Sequence, residues 1–454
     1  MENIIDKLKS LAKEDSVRMI VDALGAGADL HFVGGIVRDS ISGKENSDID
    51  LASVYLPEQI CPLLESHGIK VIPTGIKHNT VTAVFNGEIK HIEITTFRNF
   101  DVNGNSVTSK NILEDLKFRD FTINSIAYSL NSEQIIDPNS GINDIKQRLI
   151  RAVGMPLARF KEDPLRILRM VRFSCSENYQ IEEDTLKAAT ELCDCLSSVS
   201  MERIRDELVK ILISSDPAKG FRLLHKIGFL KLFLPEIFRY VDFEQNQFHK
   251  ADLFEHTLEV MSRTPRDLLL RLTALLHDVA KPDTLSIDPQ TQTRHFYKHE
   301  TVGVDVANSI MRRYKFSNEI IANVSVLIAT HMRPIECGAG GMRRILRDTA
   351  GLFEQWRIFK EADALSCNVD EKVFLSQLSV FDEQMSEVLK GPAVSPLKSL
   401  AINGSDLLKL GIKEGPQIGE ILRKLHEIVL DNPEYNNPEK LQELLLKIRN
   451  HSNL

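Results

Sequence analysis

Two carboxylates one residue apart, Asp48 and Asp50, open a β-rich run, and residues i and i+2 of a strand face the same side. With no base beside them they repel. A divalent cation resolves that repulsion, and Mg²⁺ takes one or two carboxylates completed by phosphate oxygens. Such a triplet also arises by chance. Glu93, in the alternating segment His91-Ile92-Glu93-Ile94-Thr95, reads equally as a third metal-facing carboxylate or as an exposed strand residue. Upstream, Phe32-Val33-Gly34-Gly35 ends a strand ahead of a segment, Ile36 to Ser40, able to start a helix. A glycine pair there lets the backbone approach a bound oxyanion, and Arg38 would add a charged fork. Glycine pairs at turns are ordinarily only turns. The spacing matches neither the dinucleotide fingerprint nor the P-loop, so those two folds are excluded.

Asp163-Pro164-Leu165-Arg166 carries a different chemistry. Pro164 suits the first turn of a helix, Asp163 suits its cap, and residues three apart share a face. The carboxylate only accepts hydrogen bonds; the guanidinium only donates. Together they match an edge presenting an amino donor beside a ring-nitrogen acceptor. Cytosine and adenine have that edge, and uracil and guanine present the reverse. A mismatch leaves buried groups unpaired, and sites of this kind discriminate by about 10⁴-fold or more. The competing reading is an ordinary surface ion pair. From Asp144 to Arg172 eight bases (Lys146, Arg148, Arg151, Arg159, Lys161, Arg166, Arg169 and Arg172) face three acids (Asp144, Glu162 and Asp163). Arg169 and Arg172 continue the helical spacing and would reach a triphosphate or an RNA backbone.

A third group is His256, His277, Asp278, His299, His331 and Asp363, all in segments that read as helices or helix ends. A single buried histidine is more often structural, but the chain has only 13 in 454 residues, so six residues in this order point to a metal. Imidazoles with carboxylates suit Mn, Ni, Fe or Zn in a one- or two-metal site.

These residues need elements to hold them. The first 29 residues read as an amphipathic helix closed by glycines. Short β-rich runs follow at 31–35, 49–53, 80–87 and 90–97, with Gly and Asn between them. From about Asp144 the apolar residues recur at three-to-four spacing, the pattern of helices. The expected fold class is therefore α+β: a small mixed sheet at the head and a long all-helical body. The expected divisions are an N-terminal helix (1–28), a head (29–143), a basic helical neck (144–240), the histidine-bearing domain (241–389) and a tail (390–454). The linker is expected at 390–399, where two prolines and a glycine break helices.

Length alone suggests about three domains. With 43% apolar and 26% charged residues, disorder, collagen and coiled coil are excluded as the main state. No apolar run approaches a membrane span, no signal-peptide pattern opens the chain, and the six cysteines form no CxxC pair. The expected location is the cytoplasm. A formal charge of −8 argues against coating nucleic acid, while leaving room for a local basic groove.

In order, the stretch VGGIVRDSISGKENSDIDLAS resembles the class II tRNA nucleotidyltransferase and bacterial poly(A) polymerase family, whose head belongs to the polymerase-beta superfamily. Phe118-Arg119-Asp120-Phe121-Thr122-Ile123-Asn124 is similar to the family's RRDFTxN motif, with Phe118 in place of the first arginine. Glu162-Asp163-Pro164-Leu165-Arg166 matches its EDxxR element. The resemblance implies template-independent addition of CMP and AMP from CTP and ATP to the tRNA acceptor end. Asp48 and Asp50 would hold Mg²⁺. Gly34, Gly35 and Arg38 would cradle the triphosphate, Arg119, Asp120 and Asn124 the sugar, and Asp163 and Arg166 would select the base. The histidine set resembles the HD phosphohydrolase superfamily, which implies an HD domain fused behind the head. Relatives adding only CC have a shortened loop before the RRD motif. Here Arg98 reaches Arg119 without the longer relatives' DGRxP-like stretch, and Asn103-Gly104-Asn105 reads as a tight turn. CC addition is thus an alternative to full CCA addition. The others are a poly(A) polymerase, which should carry basic extensions, and a phosphohydrolase with a regulatory nucleotide-binding head.

Overall fold

The N-terminal segment forms two helices rather than one, α1 (Glu2–Ala12) and α2 (Asp15–Leu24). The Lys13 and Glu14 amides turn back to the carbonyls of Ser10 and Leu11, which ends α1. The computed structural model describes residues 2–45, 48–75, 79–85, 90–100, 106–246, 251–391 and 400–452. They separate into two compact units, Met1–Leu232 and Phe233–Leu454.

Besides a short parallel pair, Leu149–Ile150 with Gln180–Ile181, the described residues of the first unit form nine strands. They are β1 (His31–Val33), β2 (Ile49–Ser53), β3 (Lys70–Gly75), β4 (Thr80–Phe85), β5 (Lys90–Thr96), β6 (Arg98–Phe100), β7 (Ser106–Thr108), β8 (Ala127–Ser129) and β9 (Ile135–Ile136). Seven form one mixed sheet in the order β3-β4-β5-β2-β1-β8-β9, with β2 and β5 parallel and the other pairs antiparallel. Composition explains the order. β3 carries Pro73, which a ladder tolerates at an edge, and β3 is the edge. β5 alternates buried Ile92 and Ile94 with exposed His91 and Glu93, the pattern of a strand covered on one face. The register sets Asp50 of β2 directly beside Glu93 of β5.

Between β1 and β2 runs α3 (Gly35–Ile41), followed along the chain by α4 (Pro57–Ser66), α5 (Ile112–Lys117) and α6 (Gly141–Gln147). Gly34 joins β1 to α3 at φ +70°, ψ −128°, a conformation only glycine adopts readily. Beyond α6 the first unit is helical: α7 (Pro156–Glu162), α8 (Leu165–Glu177), α9 (Glu183–Glu191) and α10 (Met201–Leu212), with further helices to Leu232.

The second unit is helical apart from one hairpin, Leu285–Ile287 with Arg294–Phe296. One core gathers Trp356, Phe381, Leu327 and Met385, and a second gathers Leu407, Leu425 and Leu441 near the C-terminal end. Arg344 and Arg347 join the helix Ala339–Asp348 to Glu427 and Asp431 of the helix Pro416–Asp431. Residues 392–399, most of the expected linker, lie outside the described residues. No helix among the described residues is long and apolar enough to cross a membrane.

One glycine locks the head to the start of the helical segment. A Cβ on Gly141, the first residue of α6, would lie 2.1 Å from the Thr122 carbonyl oxygen and 2.9 Å from Ile126 Cγ1. Backbone must shift to admit it, and overpacking of this kind costs about 1–3 kcal/mol. Gly141→Ala should lower the melting temperature by several degrees, read by thermal denaturation followed by circular dichroism.

Candidate functional site

A cavity of about 440 Å³ in the first unit is lined by Gly34, Gly35, Arg38, Asp50, Arg119, Asp120, Asn124, Asp163, Arg166, Arg169 and Arg172, with Arg98, Phe118, Leu165, Phe173 and Arg203. Seven arginines face three carboxylates there, in a chain of net charge −8. The positive charge of the molecule is gathered where a polyanion would sit.

Each arginine is held from behind. Asp115, 1% exposed, accepts from the Arg98 amide at 3.0 Å and from Arg119 Nε at 2.9 Å. Burial alone would raise its pKa, but Arg119 and Arg98 outweigh burial and hold it below the usual carboxylate range. Asp120 accepts from Arg169 Nη2 at 2.6 Å and from Asn124 Nδ2 at 3.0 Å, and Arg38 Nη1 donates to Asn124 Oδ1 at 2.8 Å. Burial pushes Asp120 up, yet Arg169 and Asn124 keep it well below the ordinary range. Arg172 donates to the buried Glu207 of α10 at 2.7 Å. The Phe173 ring lies under three of these cations, with Arg172, Arg38 and Arg169 at 4.3, 5.1 and 5.6 Å from its centroid.

The EDxxR segment folds as its proline dictates. A residue before proline is driven out of the helical region, so α7 stops at Glu162 and Asp163 is extended, at φ −145° and ψ 96°. Asp163 Oδ1 then accepts from the Leu165 amide at 3.3 Å as α8 begins. Asp163 and Arg166 share the cavity, and the Arg166 amide donates to the Asp163 carbonyl at 3.0 Å, but their side chains pair elsewhere. Asp163 pairs with Arg203 of α10, at 3.1 Å. Arg166 donates to the carbonyls of Phe118 at 2.8 Å and Arg159 at 3.2 Å, and to Glu162 at 3.1 Å. Phe118 offers no cation, but its ring packs 4.9 Å from the Arg159 guanidinium, and its carbonyl fixes Arg166.

Opposite these bases stands Asp50. Burial first, then the charge of Glu93, with Asp48 adding, raise its pKa to about 6 against the pull of Arg119. Asp48 precedes β2 and is exposed, as is Glu93. Gly34 lets the backbone pass close to this carboxylate; its absent Cβ would stand 3.7 Å from Asp50 Oδ2.

The second unit holds the other constellation. Around Asp278, 2% exposed, converge His277 Nε2 at 3.0 Å, His299 Nε2 at 3.2 Å, His256 Nε2 at 3.8 Å and His331 Nε2 at 3.9 Å. Asp363 Oδ1 lies 3.4 Å from His256 Nε2. The Nδ1 atoms of His277, His299 and His331 face the carbonyls of Ala274, Phe296 and Ile328 at 2.9, 2.8 and 2.7 Å. A carbonyl only accepts, so each Nδ1 carries a proton and each ring turns its Nε2 inward. His299 and His331 place those nitrogens 3.1 Å apart. Burial and the neighbouring His277 push His331 down to about 3, which keeps it neutral. Lys281, 2.7 Å from Asp278 Oδ2, supplies one resident positive charge.

The Poly A polymerase head domain matches residues 30–151, the RNA and SrmB-binding site of polymerase A matches 178–240, and tRNA nucleotidyltransferase domain 2 matches 298–445. The A-adding tRNA nucleotidyltransferase of Deinococcus radiodurans is 30% identical over 412 residues, covering 87% of this chain and 90% of that protein. The CCA-adding enzyme of Levilactobacillus brevis is 31% identical over 414 residues, covering 88% and 89%. The chain belongs to the class II tRNA nucleotidyltransferase family. Its fold is similar to that of the Bacillus stearothermophilus CCA-adding enzyme in complex with CTP, at a TM-score of 0.71 and 25% identity over 96% of both chains.

Nucleotidyltransferases of this family work with a divalent metal such as Mg²⁺. The residues present fit one. Burial and the acidic neighbours of Asp50 outweigh the pull of Arg119 and raise its carboxyl to about 6, and Asp48, Asp50 and Glu93 offer the hard oxygen donors Mg²⁺ prefers.

Every residue expected to bind nucleotide lines the cavity, and five residues that no motif singled out complete the site. Arg98 and Arg203 face the cavity, Phe173 is its aromatic floor, and Asp115 and Glu207 anchor from behind. Arg203 and Glu207 sit in MERIRDELVKILI, where helical periodicity marks the buried positions but does not name their partners. The turn at Asn103-Gly104-Asn105 lies outside the described residues, while β6 and β7 pair on either side of it.

Removing the carboxylate of Asp120 leaves Arg169 without its buried counter-charge. Arg169 is 33% exposed at its side chain, so the cost falls below that of a fully buried pair, at about 2 kcal/mol. A depressed carboxyl contributes stability above its unfolded pKa of about 3.9, and that contribution is lost as pH falls through the folded value. Asp120→Asn should therefore unfold at lower denaturant than wild type at pH 7, with the gap narrowing below about pH 4.

Proposed function

We propose that this enzyme extends the 3′ end of tRNA with CMP and AMP, taking CTP and ATP as substrates without a nucleic-acid template and releasing pyrophosphate. The observation that carries the reading is a single cavity bearing the arginine cluster, Asp50 and the Asp163–Arg166 edge. Residues 29–143 serve as the catalytic head and 144–240 as the neck that selects nucleotide and binds tRNA.

Gly34, Gly35 and Arg38 cradle the triphosphate and Arg169 and Arg172 reach it, each arginine oriented by a carboxylate. Arg119, held by Asp115, fixes the sugar with Asp120 and Asn124. Asp163 accepts from the exocyclic amino group of cytosine or adenine, since a carboxylate has more lone-pair positions than Arg203 and the Leu165 amide use. Arg166 spends three N–H groups on protein acceptors, which orients the remainder toward the ring nitrogen. Asp48 and Asp50, with Glu93 beside them, would hold Mg²⁺. When bound, the ion neutralises charge building at the α-phosphate and makes the tRNA 3′-hydroxyl easier to deprotonate.

The deciding experiment supplies CTP and ATP, separately and together, to tRNA lacking its CCA end and to tRNA ending in CC. Mass spectrometry distinguishes a CCA product from arrest at CC or addition of A alone. In the same assay Asp50→Ala should reduce addition by about 10³-fold or more, a loss of several kcal/mol, with tRNA affinity unchanged. Arg166→Ala should lower the preference for C and A over U and G by on the order of 100-fold. Unchanged selectivity would make the pair an ordinary helix-end contact.

A second reading concerns the unit Phe233–Leu454. Three inward Nε2 atoms converge beside two carboxylates, a donor set that suits a cation, and Asp278 faces His299 with one oxygen and His277 with the other. This supports a metal-dependent HD phosphohydrolase acting on phosphate at RNA ends. His256, His277, Asp278 and Asp363 would hold one transition metal (Mn, Ni, Fe or Zn), and Asp278, His299 and His331 a second. Elemental analysis should find the metal copurifying. Hydrolysis of 2′,3′-cyclic nucleotides should depend on it, and both should disappear in Asp278→Ala with nucleotide addition intact.

A further inference from the structure

The first of these metal positions has a neighbour outside the histidine-aspartate pattern. Cys367 lies four residues after Asp363, one helical turn on, and its amide donates to the Ala364 carbonyl at 3.0 Å. The chain thus keeps turning past the last helical residue, Leu365, and Cys367 stays on the face of Asp363. A ligand atom of His256, one of Asp363 and the Cys367 sulfur all lie within 4.8 Å of one another. Donors to one tetrahedral ion at bonds of about 2.0–2.3 Å stand roughly 3.3–3.8 Å apart, so side-chain movements of up to about 1 Å bring all three onto one centre. His256 is buried and turns its Nε2 toward Asp363, and the inward Nε2 of His277 lies 3.6 Å from the same Asp363 oxygen. The sulfur therefore borders a group of nitrogen and oxygen donors already converging on one point. Cys367 is not engaged in a disulfide.

We propose that Cys367 is a thiolate ligand of the metal held by His256, His277, Asp278 and Asp363, and that it makes this site select a thiophilic ion such as Zn²⁺ or Co²⁺ over Mg²⁺. On binding, the S–H proton passes to solvent and a metal–sulfur bond forms; no redox change takes place. A soft sulfur donor discriminates against hard, oxygen-preferring ions, which the carboxylates alone do not. The two sites of this protein would then draw on different metals, Mg²⁺ at the oxygen-only cluster around Asp50 and a thiophilic ion here. The proposal rests on the metal-site reading of the second unit.

Metal-stripped full-length protein titrated with Co²⁺ provides the test. Wild type should develop visible d–d bands together with a near-ultraviolet sulfur-to-cobalt charge-transfer band. Cys367→Ser should lose the charge-transfer band and keep the d–d bands. A wild type with d–d bands alone, or a charge-transfer band that survives in Cys367→Ser, overturns the ligand assignment and leaves the metal site standing. Cobalt binding no greater than that of Asp278→Ala overturns both. Should Cys367→Ser fail to fold, X-ray absorption of the Zn²⁺-loaded wild type decides, with a sulfur shell at about 2.3 Å expected and a spectrum of nitrogen and oxygen alone refuting it.

Discussion

The nucleotide cavity depends on holding like charges together before any substrate arrives. Two guanidinium groups about 5 Å apart repel by roughly 3 kcal/mol at an effective dielectric near 20, and seven arginines line one space. The molecule meets this with carboxylates placed on the far side of the arginines, in the protein interior. Asp115, Asp120 and Glu207 are each less than a tenth exposed. Asp115 and Glu207 cancel charge from outside the cavity and Asp120 from its wall, so the forks stay oriented toward a polyanion.

The second unit poses the same problem with the sign reversed. There the groups forced together are imidazole nitrogens and carboxylates, and the anchoring is done by backbone carbonyls. Ala274, Phe296 and Ile328 take the Nδ1 protons and so commit each Nε2 to the interior. His277 and His331 sit at the C-terminal caps of their helices and His299 at the start of its own. Helix C-termini are where unpaired carbonyls accumulate, so for His277 and His331 one feature supplies both position and tautomer, while His299 takes its acceptor, Phe296, from the end of a hairpin strand.

The histidine set was legible because its residue type is scarce, 13 in 454, and the DxD pair and ED-P-L-R segment because their spacing is local. Arg119, Asp120 and Asn124 stood out through the resemblance to the RRDFTxN motif. The strands at 49–53 and 90–97 stood out through alternation, and β3 did not, since Pro73 interrupts its pattern. What sequence could not supply were partnerships across long separations. Asp163 and Arg166 read as a pair from their spacing, yet the proline between them turns Asp163 out of the helix, and Arg203, forty residues on, takes its charge. Asp115 looks like any acid in a short amphipathic helix, and only folding reveals that it joins Arg98 to Arg119. Cys367 stands one turn after Asp363, but the other neighbour, His256, comes from another helix.

The long reach from α8 to α10 has a consequence for how the enzyme is made. Arg172 and Asp163 both find their counter-charges on α10, through Glu207 and Arg203, and synthesis proceeds from the N-terminus. A nascent chain that has emerged only to residue 200 already displays the sheet, the glycine turn and the EDxxR element, with part of its arginine cluster unanchored. The head and the base-reading edge therefore do not mature as separate modules. The arrival of one late helix completes them together, and the smallest competent ribosomal product extends past Leu212.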